Sequence, residues 1–247
     1  MLKRNYKHIA TALLMLPVIG LASCSGGNAE RSADKAYAAA LKDSIRNIQA
    51  EIDSCDRNLD ILRDNQDVWL RDFTTVANSR EAAPYMIYTP FKEKYPPTET
   101  GLIARLAENG QLELIASLRG ARFDQIAVTA DMETVTSDVV SPDQALNYFA
   151  DGLNTVMFTG PKADMIGHLI ADNELNPITV SFINGKPVKA MKLPEEYSKM
   201  ISTTFGLYNT QKQIAALERR VPMLHRKIDL LRSHLDKTEQ RDSTDNR

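Results

Sequence analysis

The sequence predicts an α+β protein, in which two long terminal helices form an antiparallel coiled-coil stalk around a small mixed α/β head. Three observations lead there. Apolar residues near both ends of the chain recur on a heptad seam. The two heptad stretches carry blocks of opposite charge. Between them, residues 82–194 lose the heptads and alternate short β-patterned runs with Pro and Gly. The chain has 247 residues, of which 43% are hydrophobic, enough for one core with extensions. Its near-balance of 30 Lys+Arg against 32 Asp+Glu argues against a nucleic-acid binder. Two cysteines are too few for a disulfide-dense scaffold or a four-thiolate zinc site.

Residues 1–23 read as a signal peptide. Lys3, Arg4 and Lys7 precede an apolar or small run from Ile9 to Ala22. That run falls short of the roughly 20 apolar residues that span a bilayer. It ends in Leu21-Ala22-Ser23-Cys24, which resembles the lipobox of bacterial lipoprotein precursors, whose cysteine thiol is joined to diacylglycerol. The resemblance implies cleavage between Ser23 and Cys24 and a membrane anchor, a diacylglyceryl or palmitate-type lipid, on Cys24. Two buried acyl chains suffice for stable attachment, at about 0.8 kcal/mol per CH₂. Residues 24–30 then form a lipidated tether, small and polar from Ser25 to Asn28. The stretch Ser25 to Asn28 lacks both the Asp after the cysteine that resembles an inner-membrane retention signal and the acidic cluster that some lipoproteins use for surface export. An outer-membrane lipoprotein facing the periplasm is therefore the implied location in the cell envelope. Cleavage would leave 27 bases against 32 acids, a charge of −5.

Residues 31–81 are expected to be one helix. Its seam runs Leu41, Ile45, Ile48, Ile52, Cys55, Leu59, Leu62, Gln66, Trp69, Phe73 and Val76, with no Pro or Gly between Glu30 and Ser79. Some 45 helical residues would reach roughly 70 Å. The C-terminal arm, residues 195–238, repeats the pattern at Leu207, Thr210, Ile214, Leu217, Val221, Leu224, Ile228, Leu231 and Leu235. Pro222 lies at a b position, off the seam, so a kink rather than a break is expected there. Residues 239–247 read as a disordered tail.

Glu51 to Asp67 holds six acids against Arg57 and Arg63, whereas Arg219 to Arg232 holds five bases against Asp229. Antiparallel pairing of Ile45 with Leu235, Ile52 with Ile228 and Leu59 with Val221 sets the blocks side by side. Each exposed pair is worth only a few tenths of a kcal/mol, so charge would select orientation more than stabilise it. Self-association of the helices, as a homodimer, is the rival arrangement.

In the head, Met86–Thr89, Gln111–Arg119, Gln125–Ala130, Glu133–Val140 and Leu153–Thr159 read as strands. Thr100–Asn109 reads as a helical turn stopped by Gly110, and Ser141-Pro142-Asp143-Gln144 as a helix start. Lys162–Ala171 reads as a helix, and Ile178–Ile183 with Val188–Leu193 as a hairpin closed by Asn184-Gly185 in a type I′ turn. Asn78-Ser79-Arg80-Glu81 joins arm to head, and Phe158-Thr159-Gly160-Pro161 turns strand into helix.

Chemistry-bearing patterns are sparse. The chain carries no HExxH, CxxC, GxSxG or phosphate loop. His225 and His234 stand nine apart on the C-terminal arm and do not stack on adjacent turns, and His168 reads as a surface or partly packed residue. No catalytic residue, metal or cofactor is implied. Tyr85, Tyr88 and Tyr95, with Phe91, Lys92 and Lys94 between them, are the candidate rim of a ligand site, or a loop packed over the core. Helices flanking a central β region resemble prefoldin-type chaperone subunits in layout, and coiled-coil hairpins resemble those of periplasmic efflux adaptors, where the order of parts is inverted. Layout does not establish function.

These readings converge on a lipid-anchored envelope protein acting as a non-enzymatic interaction or spacer module, a scaffold or adaptor. Its expected partners are the membrane, through the lipid, and another protein, not a nucleic acid. The alternative is an envelope receptor whose head takes a glycan or peptide. Cys55, at a d position, discriminates the two helix arrangements, because a parallel homodimer in register would bring two Cys55 thiols together. With pairing inside one chain, the protein is expected to run as a monomer on a non-reducing gel. A disulfide dimer that disappears in Cys55→Ser would overturn intramolecular pairing.

Overall fold

The computed structural model describes residues 27–77, 83–142 and 144–244. The signal peptide, Ser23, Cys24, the Asn78–Glu81 junction and Asp143 lie outside them. The protein is a mixed α+β chain with two long terminal helices, α1 (Gly27–Leu70) and α3 (Glu195–Thr244), and two antiparallel sheets. It divides into two compact units, Met1–Ile45 with Leu230–Arg247, and Arg46–Asp229.

In the unit Arg46–Asp229, the first sheet orders its strands β1 (Phe73–Val76), β2 (Tyr85–Tyr88), β3 (Gly101–Ala107), β4 (Leu112–Arg119), β8 (Leu153–Phe158) and β7 (Asn147–Ala150). The second orders β10 (Lys186–Lys192), β9 (Ile178–Asn184), β5 (Gln125–Ala130) and β6 (Glu133–Thr136). A single hydrophobic core takes in both sheets, the helix α2 (Pro161–Asp172) and the first turns of α3. Phe123 and Phe182 meet edge to face in it, ring centroids 5.0 Å apart.

The core reaches beyond residue 194. Tyr197, Met200, Ile201, Phe205 and Leu207 of α3 are buried in it, and Trp69 and Phe73 pack against it. Two glycines permit the close approach. A Cβ on Gly167 would stand 2.7 Å from Phe205 Cδ2, and one on Gly206 3.1 Å from the Trp69 ring.

The structure corrects several expectations. The N-terminal helix ends at Leu70, so the seam residues Phe73 and Val76 are not helical. Phe-Thr-Thr-Val is β-prone, and it pairs as an edge strand with Tyr85–Tyr88. At its other end α1 starts at Gly27, taking up part of the segment read as a tether. Thr100–Asn109 is not a helical turn but strand β3. Leu102, Ile103, Ala104 and Leu106 are all buried, and a strand covered on both faces shows no alternation. Ser141–Gln144 starts no helix: single turns close there, and the chain goes on into β7. The buried Asn147 explains this, since its side chain donates to Val140 O at 2.6 Å and accepts from Asn154 Nδ2 at 2.9 Å. The strand expected over Glu133–Val140 stops at Thr136, because Ser137 turns its hydroxyl to accept from Ile126 N.

The hairpin over β9 and β10 forms, but not with a type I′ turn. Gly185 alone takes a positive φ there, 65°, and the register shifts between Pro187 and Lys189. Last, residues 239–244 continue α3 rather than forming a disordered tail. Glu239 finds Lys42 of α1 at 2.9 Å in the unit formed by the two helix ends. Pro222 sits inside α3 on an exposed position, and the helix runs through it.

Burial along the two helices follows the seams. Leu41, Ile48, Ile52, Cys55 and Leu59 are buried on α1, with Ile45, Leu62, Gln66 and Trp69 half-buried. On α3, Leu207, Thr210, Ile214 and Ile228 are buried, with Leu217, Val221, Leu224, Leu231 and Leu235 half-buried. Cross-helix ion pairs in the unit Arg46–Asp229 include Glu51 with Arg220, Nε to Oε1 2.8 Å, and Arg63 with Glu218 at 2.9 Å. The first joins an acid of the α1 block to a base of the α3 block, whereas the second does not.

Gly167→Ala is expected to destabilise the protein by about 1–3 kcal/mol, because the added methyl forces Phe205 or Leu112 from place. Thermal melting measures it. An unchanged midpoint would show that the α2–α3 approach is looser than the structure has it.

Candidate functional site

The aromatic segment does not form an open rim. Tyr85 is buried under the Arg105 guanidinium, 4.0 Å from the ring centroid, and Arg105 is itself paired with Glu113 at 2.6 Å. Tyr88 lies between Phe73 and Phe91, with ring centroids 5.9 and 6.2 Å away. The Tyr95 hydroxyl donates to Ala104 O, and burial pushes its pKa far above the ordinary phenol range, with Arg105 opposing. All three rings are thus engaged with strands β1 to β3 of the first sheet or with the segment beside them.

The structure assembles a different site, where α2 meets α3 and β6. Gly160, at φ 80°, turns β8 into α2, and Pro161 occupies the first helical turn. Asp164 follows in that turn, where the helix dipole favours a carboxylate. From α3, Phe205, Tyr208, Asn209 and Lys212 project at helical spacing. Gly167 lets Phe205 reach the α2 backbone. The cleft between them, about 350 Å³, is lined also by Glu133, Val135, Met165, His168, Leu169 and Asp172.

Its polar centre is Asp164. The Oδ2 atom accepts from the Tyr208 hydroxyl at 2.6 Å and from Lys212 Nζ at 2.8 Å. Lys212 lies over the Tyr208 ring, 5.3 Å from the centroid. Burial first, then the bond to Asp164, raises the Tyr208 phenol above its ordinary pKa. The bond to Asp164 likewise raises Lys212. Both groups thus hold their protons to higher pH than the free side chains do. His168 Nδ1 stands 3.0 Å from Asp172 Oδ2, and the ring meets Phe205 edge-on at 5.6 Å. That pair is exposed, so it adds little stability.

The arrangement combines an apolar floor, Met165, Leu169 and Phe205, with a few fixed polar groups, as small-molecule and side-chain pockets do. The sequence did not mark it. Asp164 and Tyr208 are 44 residues apart, and only the Tyr208/Lys212 spacing of four hinted at a shared face. Among the described residues no group of three or more His, Cys, Asp or Glu is placed to hold a metal ion. No described helix is long and apolar enough to cross a membrane. Compared with known proteins, the chain matches no family model, no curated protein sequence and no solved structure.

The raised Tyr208 and Lys212 pKa values fix a pH dependence. Each group binds its proton more tightly in the folded chain than in the unfolded one, where both titrate near pH 10. Their stabilisation is complete below that pH and is lost as pH rises through the folded values. Asp164→Asn is expected to bring the Tyr208 ionisation down toward the ordinary phenol value. Phenolate absorbance, taken as the difference from Tyr208→Phe, reads it. A Tyr208 that already titrates at the ordinary value in the wild-type protein would show that Asp164 does not hold the phenol proton.

Proposed function

We propose that the chain is a lipid-anchored cell-envelope lipoprotein that acts as a non-enzymatic interaction or spacer module. In this reading, signal cleavage exposes Cys24, a diacylglyceryl group on its thiol holds the protein on the membrane, and the outer membrane facing the periplasm is its place. The helices α1 and α3 pair as an antiparallel coiled coil within one chain, and the two-sheet head and the outer helix faces supply recognition.

The observation that carries the anchoring is the order of parts at the N-terminus: bases, a short apolar run, then Leu21-Ala22-Ser23-Cys24. Burial at the seam positions of both helices and the Glu51–Arg220 and Arg63–Glu218 pairs support the coiled coil. So does the burial of Cys55, 6% exposed at its seam position.

Growth of expressing cells with an alkyne fatty acid should label the full-length chain and place it in the membrane fraction. Cys24→Ser should lose the label and keep the uncleaved signal peptide. Labelling that survives Cys24→Ser, or a wild-type chain recovered unlabelled, would sink the anchoring proposal.

A further inference from the structure

The charge blocks of the two helices are only partly used inside the chain. Of the acids in Glu51–Asp67, Glu51 reaches a base on α3. Asp60, Asp64 and Asp67 are exposed, at b and f positions of the heptad, on the side of α1 away from the seam. On α3, Arg219 and Arg226 are exposed at f, away from the seam, and Lys227 is exposed at g, at the border of that face. Arg219 turns its Nε to Ala215 O, and none of these six enters the ion pairs between the helices. Charges placed on the outer faces do little for pairing inside the chain, since like signs along one helix repel.

Each of those faces also carries exposed large apolar side chains. Ile61 is 59% and Val68 60% exposed on α1, both at c positions, flanking Asp64 at f. Met223, 60% exposed, is at c on α3 between Arg219 and Arg226. The outer face of α1 is thus acidic with Ile and Val, and that of α3 is basic with Met. All of these residues belong to the compact unit Arg46–Asp229.

We infer that the outer face of α1 in one copy of this chain is the docking surface for the outer face of α3 in a second copy. The inference rests on the reading of the helices as an interaction module and names its partner. Charge complementarity commits the occupant: the acidic face finds its opposite on the same chain but on the other helix, facing elsewhere. Copies of equal orientation side by side, as on one membrane, bring α1 of one against α3 of the next in the antiparallel sense. The contact is heterologous, so it extends from copy to copy instead of closing as a two-fold pair. The interhelical attraction is exposed and weakens with salt.

Directed cross-linking in the full-length lipidated chain tests this. Copies bearing Ile61→Cys and copies bearing Met223→Cys, separately tagged, are expressed together and oxidised in the membrane. A disulfide between the two tags is expected. It should fall at least five-fold when the first copy also carries Asp60→Lys, Asp64→Lys and Asp67→Lys. Adding Arg219→Glu, Arg226→Glu and Lys227→Glu to the second copy should restore it, which separates pairing from folding. Disulfides between like tags only, no intermolecular product, or a mixed product indifferent to the charge reversals would each overturn the inference. The unlipidated Cys24→Ser chain should give the same product with the same charge response. Lipid labelling reports on the anchor separately, so failure of one reading does not imitate failure of the other.

Discussion

One helix, α3, closes the core of the two sheets, and the rest of the structure depends on it. Over Tyr197–Leu207, α3 buries a broad face, with Tyr197, Ser198, Met200, Ile201, Thr204, Phe205 and Leu207 all enclosed by the sheets and α2. Beyond Leu207 the buried stripe narrows to one seam residue every three or four positions. Leu207 belongs to both regimes. Because a helix transmits its phase from turn to turn, the packing of α3 on the sheets sets the direction in which its later seam residues face. Trp69 locks the same register from the other side, its ring seated over Gly206 where no side chain intervenes. A bulky residue at position 206 would displace the Trp69 ring from α3.

Polar groups then make that packing specific. The Arg105–Glu113 pair has only 7% and 14% of its side chains exposed, and it bridges directly opposed positions of β3 and β4. An ion pair so enclosed gains little net stability, but a register slip would strand both charges. Asn154 plays the corresponding part at the other edge of the sheet. Its Oδ1 accepts from Phe123 N at 2.7 Å, while its Nδ2 donates to Asn147 Oδ1 and Tyr148 O. The Asn147–Asn154 pair thus satisfies four backbone groups, Phe123 N, Phe123 O, Val140 O and Tyr148 O, and ties the segments around Phe123 and Val140 to the β7–β8 hairpin.

Periodicity made the helices legible in the sequence, because a seam needs only local counting. The alternating residues Leu112, Leu114, Ala116 and Leu118 made β4 legible for the same reason. What local counting missed had non-local causes. Strand β3 is buried on both faces, so its apolar run mimicked a helical turn. Phe73–Val76 kept the heptad spacing yet became a strand, because Tyr85–Tyr88 offered it a partner. The aromatic segment was visible as a cluster, but whether its rings face solvent or core depends on Arg105 and Phe73, which come from other elements. The Asp164–Tyr208–Lys212 group was invisible altogether, since packing of α2 on α3 creates it. The opposite signs of the two charge blocks are plain in composition, but their angular position around each helix leaves most of them outside the seam.

Strand β10 closes one end of the second sheet, and among the described residues no strand pairs with its outer edge. An open edge of seven residues invites any extended chain to add to it. Lys186, Lys189 and Lys192 punctuate this one, Pro187 removes a donor, and a bulge breaks its regularity. Such an edge rejects addition by another strand, its own copies included, by charge repulsion and mismatched spacing. Crowding these molecules together therefore need not lead to fibrous aggregation, and chance encounters through the sheet stay reversible.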